Sequence, residues 1–358
     1  MHNPPMRRRA WGTRDARSLI AFAWLLSLPL ASAGQELKTA PIGDLTLESG
    51  EVLRDCRVGY RTYGRLDAQR SNAVAFPTWF AGRSDELADY IGPGRWIDDS
   101  RYFVVALDAL ADGVSSSPSN SPLQPRMRFP RISVADMVES QHRLLTRVLH
   151  LEHLRAVVGS SMGGMQTFQW LVSYPDFMDR AVAVVGSPRL AAYDLLLWRA
   201  QIDAIENAPE WKNGDYDQQP ATAAVAALDS LALTSPGSFN REVTRDGLPG
   251  VLAQARKDVA EFDANDRLRQ LQAMLAHDVS ARFGGSMERA AAMVKARALV
   301  IVSRQDHMVT PGPALEFARL VRAGLIELQG DCGHLAAECE SPSVVPVIAA
   351  FLADQPIQ

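Results

Sequence analysis

Ala156-Val157-Val158-Gly159-Ser160-Ser161-Met162-Gly163-Gly164 decides how this chain is read. The apolar run up to Gly159 has the composition of a buried strand, and Met165 to Ser173 carries a helical pattern. Between them stands a G-x-S-x-G string. Alone that string is a modest signal, since a chain of this length has roughly a one-in-ten chance of containing one. Strand, sharp turn and helix together are far more specific. Small residues around the turn let the backbone reverse without a clash, which sets a serine hydroxyl on a strained elbow facing a cleft. N–H groups at the start of the helix aim at the same spot and suit a developing anion. The plain alternative is a glycine-rich turn that only packs a helix close to a strand.

Working outward, short runs rich in Val, Ala, Ile and Leu alternate with helical patterns from residue 59 onward, the signature of a mainly parallel α/β sheet covered by helices. Strands are expected at Ala73 to Pro77, Phe103 to Leu107, Ala156 to Gly159, Ala181 to Val185, Leu299 to Ser303 and Leu325 to Leu328. More than a hundred residues separate the fourth from the fifth. That stretch has no convincing strand but shows helical periodicity around Leu195 to Ile205, Ala221 to Leu233 and Arg267 to Leu275. It is expected to be an inserted helical cap over residues 189–295, on a core made of residues 34–188 and 296–358. Ser115 to Pro125 is expected to be an ordered surface loop.

A serine needs a base to take its proton. On an elbow of this type the partners follow in the order serine, acid, histidine, each after a later strand. His277, His307 and His334 are the histidines beyond Ser161. His334 lies just past the strand ending at Leu328, where Gly333 lets the loop swing an imidazole over the elbow. His277 falls in the cap, and His307 adjoins the better acid candidate. Asp306 follows the strand Leu299 to Ser303, the place for a carboxylate that orients the imidazole. Asp331 competes for that role but shares its loop with His334. Two backbone N–H donors are needed for the oxyanion, one at Met162 and the other in Thr78-Trp79-Phe80-Ala81-Gly82, assigned to Phe80.

The 358 residues are 47 % hydrophobic and 22 % charged, ordinary for a folded chain, and the length is near the limit for one core. With 37 basic against 41 acidic residues, nothing points to nucleic acid. Residues 1–33 read as a signal peptide: Arg7, Arg8, Arg9, Arg14 and Arg17, an apolar stretch from Leu19 to Leu30, then Ala31-Ser32-Ala33. A membrane anchor is the alternative, though the run is short and broken by Pro29. Cleavage before Gly34 would leave 32 basic and 40 acidic residues, a net charge of −8 with no stable membrane anchor. The expected location is periplasmic or secreted. In an oxidising compartment Cys332 and Cys339 are open to a local disulfide or to remaining two buried thiols. Cys-x-His-x4-Cys lacks a fourth ligand, so no metal is assigned, and no cofactor is called for.

Further stretches carry a family likeness: Gly59 to Gly64, Ile91-Gly92-Pro93-Gly94, Asp99 to Val104, Asp136-Met137-Val138, Val158 to Gln166, Gln201 to Ile205, Pro209-Glu210-Trp211 with Gly214-Asp215-Tyr216, and His277-Asp278-Val279. Over nearly the whole mature chain the sequence resembles the homoserine O-acetyltransferase family of α/β-hydrolase-fold acyltransferases. The resemblance implies acylation of Ser161, completion of the triad by Asp306 and His334, an oxyanion hole at Phe80 and Met162, an acetyl-CoA donor, and a homodimer formed through the cap. Two departures stand out. The oxyanion loop usually reads His-Ala-Leu-Thr-Gly, whereas Trp79 and Phe80 place bulk beside the acyl site, with Trp79 a substrate-binding candidate. The cap arginine that grips the homoserine carboxylate falls on Leu228, ahead of Leu233-Thr234-Ser235-Pro236, and an apolar side chain cannot replace a buried ion pair. Arg199 is the nearby cation that would substitute.

These readings define an exported serine hydrolase acting on a small-molecule ester or thioester. The alternative is an acyltransferase to an alcohol or amine, and a third is a binding protein that kept the fold.

Overall fold

Eight strands form one sheet in the order β1-β2-β4-β3-β5-β6-β7-β8. The computed structural model describes residues 36–220 and 223–356; the segment expected to be a signal peptide and the expected start at Gly34 lie outside the described residues. Strands β1 (Lys38–Thr46) and β2 (Val52–Tyr63) make an antiparallel hairpin. Then come β3 (Ala73–Pro77), β4 (Phe103–Leu107), β5 (Leu154–Ser160), β6 (Met178–Val184), β7 (Arg297–Ser303) and β8 (Gly324–Leu328), all parallel. The six expected strands are these, with β3 and β4 at the expected limits.

Alternate residues of β3 show why a continuous apolar run belongs here: Ala73 and Ala75 enter one apolar cluster, Val74 and Phe76 the other, so both faces are covered. Helices α1 (Val134–Arg143) and α2 (Met162–Ser173) cover the first face. Helices α3 (Ala192–Glu206), α4 (Ala223–Leu233), α5 (Pro236–Glu242), α6 (Leu248–Ala260), α7 (Ala264–Leu275) and α8 (Met287–Ala291) all fall between β6 and β7. Helix α3 buries Trp198, Gln201, Ile202 and Ile205, spaced at i, i+3, i+4 and i+7. Helix α9 (Gly312–Leu320) follows β7, and α10 (Ala336–Cys339) and α11 (Ser341–Leu352) close the chain, α11 contributing Ile348 and Phe351 to the second face.

One element is additional and one expectation changes. The hairpin β1–β2 was not anticipated. Residues 115–125 are ordered but not a surface loop throughout: Ser115 and Ser117 are fully buried. Ser115 Oγ donates to the Asp108 carbonyl at 2.7 Å and accepts the Gly59 N–H at 2.9 Å, so its serines satisfy backbone groups inside the protein.

Candidate active site

Ser161 sits between the end of β5 and the start of α2 with φ 55° and ψ −121°, a conformation costly for a residue with a Cβ. Its N–H donates to the Val184 carbonyl at 2.9 Å, which fixes the elbow to the neighbouring strand. The glycines have specific work. A Cβ on Gly159 would lie 2.1 Å from the Gly163 carbonyl oxygen, and one on Gly163 would lie 2.6 Å from that of Pro77. Gly164 meets Gly186 in the same way, at 3.0 Å from its Cα.

The structure brings Ser161, His334 and Asp306 into one hydrogen-bonded line. His334, on the short turn Gly333–Leu335 after β8, places Nε2 2.8 Å from Ser161 Oγ and Nδ1 2.7 Å from Asp306 Oδ2. An ionised carboxylate only accepts, so Nδ1 carries the proton and Nε2 accepts from the serine hydroxyl. The other carboxylate oxygen of Asp306 accepts the N–H groups of Met308 and Val309, both at 2.9 Å. Asp306 and His334 are buried. The competing residues are elsewhere engaged: Asp331 pairs with Arg241 of α5, His277 Nε2 meets the Ser187 carbonyl at 3.1 Å, and His307 meets the carbonyls of Gln305 and Leu231. Burial pushes the His277 imidazole down to about 4, so it stays neutral.

The loop Thr78 to Gly82 lies against the start of α2. Gln166 Nε2 donates to the Thr78 carbonyl at 2.9 Å, Gln141 Nε2 to Gln166 Oε1 at 2.6 Å, and Trp170 Nε1 to Gln141 Oε1 at 3.1 Å. From the cap side, Gln270 of α7 accepts the Ala81 N–H at 2.9 Å. Met162 is the first residue of α2, so its N–H has no acceptor within the helix. Trp79 and Phe80 diverge. Trp79 packs its ring 5.7 Å from that of Tyr90 in the second apolar cluster, whereas the Phe80 ring lies 5.8 Å from Trp198 and 6.4 Å from Phe262 of the cap.

Arg199 does not converge with these groups. It is exposed on α3, paired with Asp203 at 2.8 Å and facing Glu206, because the buried stripe of that helix runs through Trp198 and Gln201 instead. The buried cations of the cap among the described residues are Arg267 and Arg269 of α7, which sequence reasoning missed. It also missed Gln166, Gln270 and Asp194. Asp194, at the start of α3, accepts the Thr310 N–H and hydroxyl, both at 3.0 Å, tying the cap to the loop that holds Asp306. Gln166 was within reach, as it ends the Val158 to Gln166 stretch, one turn after the elbow.

Cys332 and Cys339 form a disulfide that encloses His334 in its loop. The Arg241–Asp331 pair and the Gly330 N–H to Glu340 Oε1 bond at 2.9 Å hold the same segment. Closing so short a loop is worth roughly 2.5 kcal/mol in chain entropy. Reduction with dithiothreitol is therefore expected to lower the melting temperature by several degrees and to depress activity, and Cys332→Ser/Cys339→Ser should behave like the reduced protein. Unchanged melting and activity in both preparations would show that the bond holds nothing.

Asp266 gives a pH-dependent handle. It is buried and accepts the Ser119 N–H at 2.9 Å and hydroxyl at 2.5 Å. Burial, with the charge of Asp263, raises its carboxyl to about 7. A raised acid favours the protonated fold, so its stabilisation is full below the unfolded value near 4 and is lost as pH climbs through about 7. Burial raises Asp112 in the same direction. The melting temperature should fall between pH 5 and pH 8, and by less in Asp266→Asn; equal falls would refute the assignment.

The chain matches the family described as the alpha/beta hydrolase fold over residues 85–338. An ethyl acetate hydrolase of Pseudomonas veronii is 31 % identical over 328 residues, which is 87 % of this chain and 93 % of that protein. A homoserine O-acetyltransferase of Caulobacter vibrioides is 30 % identical, over 91 % of this chain and 96 % of its own length. Among solved structures, the acetyl esterase MekB superposes with a TM-score of 0.81 at 31 % identity, covering 89 % of this chain and 96 % of that one. An acetylester hydrolase from Corynebacterium glutamicum gives a TM-score of 0.82 at 28 % identity, with 89 % and 95 % covered.

Proposed function

Because the chain belongs to the α/β-hydrolase fold family, as an acyl hydrolase or acyltransferase, we propose that it is an exported serine esterase that hydrolyses a short-chain carboxylic ester through an acyl-Ser161 intermediate. His334 Nε2 takes the hydroxyl proton as Ser161 Oγ attacks the ester carbonyl. The negative charge that develops on the carbonyl oxygen is met by the N–H groups of Phe80 and Met162. The tetrahedral adduct collapses, and the departing alkoxide leaves with the proton held on His334. Water then enters, gives its proton to the same nitrogen and attacks the acyl carbon; the second adduct breaks its bond to Ser161 Oγ, which takes the proton back from His334 as the acid is released. Asp306 keeps the imidazole in the working tautomer and stabilises it while charged.

One observation carries hydrolysis over acetyl transfer to homoserine. Leu228 stands at the position of the family arginine, Arg199 is solvated, and the buried Arg267 already spends its charge on Asp229 at 3.1 Å. A zwitterionic acceptor would bring a carboxylate with no partner among these residues. The ethyl acetate hydrolase and acetyl ester hydrolase relatives support the same reading, while the homoserine O-acetyltransferase relatives favour the transferase. Export rests on the segment before Gly34, and the Cys332–Cys339 disulfide suits an oxidising compartment.

Purified protein lacking residues 1–33, assayed on p-nitrophenyl esters of graded length and on acetyl-CoA with L-homoserine, decides the question. Ester hydrolysis is expected, with homoserine acetylation at least about a thousandfold below it in kcat/KM. Acetyl transfer to homoserine at about 10⁴ M⁻¹s⁻¹ would overturn the hydrolase reading. N-terminal sequencing of protein recovered outside the cytoplasm tests export, an intact Met1 end in the cytoplasm counting against it.

A further inference from the structure

We propose that the cap holds a built subsite for a hydroxyl group of the ester, formed by the Arg267 Nε–H, the Trp198 indole N–H and Gln201 Oε1; this rests on the esterase reading above. The three side chains come from facing helices. Trp198 and Gln201 are one turn apart on the buried face of α3, and Arg267 projects from α7. All are enclosed, at 1 %, 0 % and 4 % exposure. Arg267 and Trp198 flank Phe80, and Gln201 joins Arg267 through Asp229. The Arg267 guanidinium carbon is 5.0 Å from the centre of its ring, and the Trp198 ring is 5.8 Å away. The backbone of Phe80 is the proposed oxyanion donor, so the cluster stands one side chain from the reacting carbonyl.

Their internal bonding leaves a specific remainder. Asp229 accepts Arg267 Nη1 at 3.1 Å on one oxygen and Gln201 Nε2 at 2.7 Å on the other. The ion pair cancels the cluster's charge, and the Asp229 bond fixes which end of the Gln201 amide is nitrogen. Arg267 Nε, Trp198 Nε1 and Gln201 Oε1 then have no partner. Buried polar groups are ordinarily satisfied, and each orphan costs stability that an apolar side chain would not. Three orphans on one contact-linked cluster beside the reaction point to a group that completes them.

Two donors and one acceptor select the chemistry. A hydroxyl offers two lone pairs and one O–H, the complement of this set. A carboxylate has no proton for Gln201 Oε1 and finds the arginine charge already cancelled by Asp229. An ammonium accepts nothing from the two N–H groups. An alkyl group leaves all three unpaired. The substrate class is therefore a short acyl ester that keeps a free hydroxyl, such as a monoester of a diol.

The test compares kcat/KM of the wild-type mature protein for 2-hydroxyethyl acetate and ethyl acetate, with p-nitrophenyl acetate as a general ester. We expect the hydroxylated ester to be favoured about thirtyfold or more, within the range set by unpaired buried groups. Trp198→Phe keeps a ring against Phe80 while removing one donor, and should cut that ratio about tenfold; Arg267→Met should bring it near one. A wild-type ratio within about threefold of one would mean that only a buried water completes the cluster, and the proposal falls while the esterase reading stands. A high ratio that survives both substitutions also overturns it. Failure to hydrolyse any of the three esters would sink the esterase reading and the subsite with it.

Discussion

Ser161→Ala is expected to lower ester hydrolysis by at least about a thousandfold, and His334→Ala by a similar factor, with the double variant scarcely worse than either. The three groups act as one relay, so removing the nucleophile or its base removes the same step. Asp306→Asn should be roughly a hundredfold less damaging than Ser161→Ala. It presents an N–H where Oδ2 accepts from His334 Nδ1 at 2.7 Å, turning the imidazole to the wrong tautomer while leaving Ser161 in place. A fluorophosphonate probe should label the wild type and not Ser161→Ala. Ser161→Ala should melt near the wild type, since it removes no buried apolar contact. Wild-type-like rates in Ser161→Ala would end the serine mechanism outright.

What the sequence made legible follows from locality. β3 and β4 are buried on both faces, so their runs read as unbroken apolar segments with ends at the expected residues. Ser161, Asp306 and His334 could be found because each follows a strand in a fixed chain order. The hairpin β1–β2 escaped because its burial alternates, its first strand carries Pro41 and Gly43, and the register shifts around Gly43. Helices α5 and α6 escaped because Pro236, Pro249 and Gly250 break the pattern and α6 buries little beyond Val259.

The groups that brace the site were illegible for a different reason. Gln270 reaches Ala81 across 189 positions and Asp194 reaches Thr310 across 116, and no local periodicity encodes such pairings. Arg199 is the cation the sequence points to because a sequence shows which residues carry charge but not which side of α3 meets α7. The buried cations, Arg267 and Arg269, stand on the helix with mostly enclosed polar residues, beside Asn265, Asp266 and Gln270. A polar helix interior of that kind is a signal that could have been weighed.

Gly159→Ala is expected to cost about 3 kcal/mol of stability and on the order of a hundredfold in kcat, although it replaces a residue inside an element where alanine is intrinsically preferred. Propensity alone favours the alanine by roughly 0.5–1 kcal/mol. The contacts oppose it. The new methyl would lie 2.1 Å from the Gly163 carbonyl oxygen, 2.4 Å from its carbon and 2.7 Å from Thr167 Oγ1. The first two are backbone atoms and cannot rotate away, so α2 must shift from β5; overpacking of this kind costs about 1–3 kcal/mol, occasionally more. Gly163 faces the Pro77 carbonyl on its other side, at the entrance to the loop carrying Phe80. A shift of α2 therefore moves the Met162 N–H relative to both Ser161 and Phe80, and a misplacement near 1 Å is enough for about a hundredfold loss. Thermal melting and initial rates separate the two effects. Wild-type kcat in a folded Gly159→Ala would show that the glycines of the elbow serve the turn alone and do not set the distance between nucleophile and oxyanion donors.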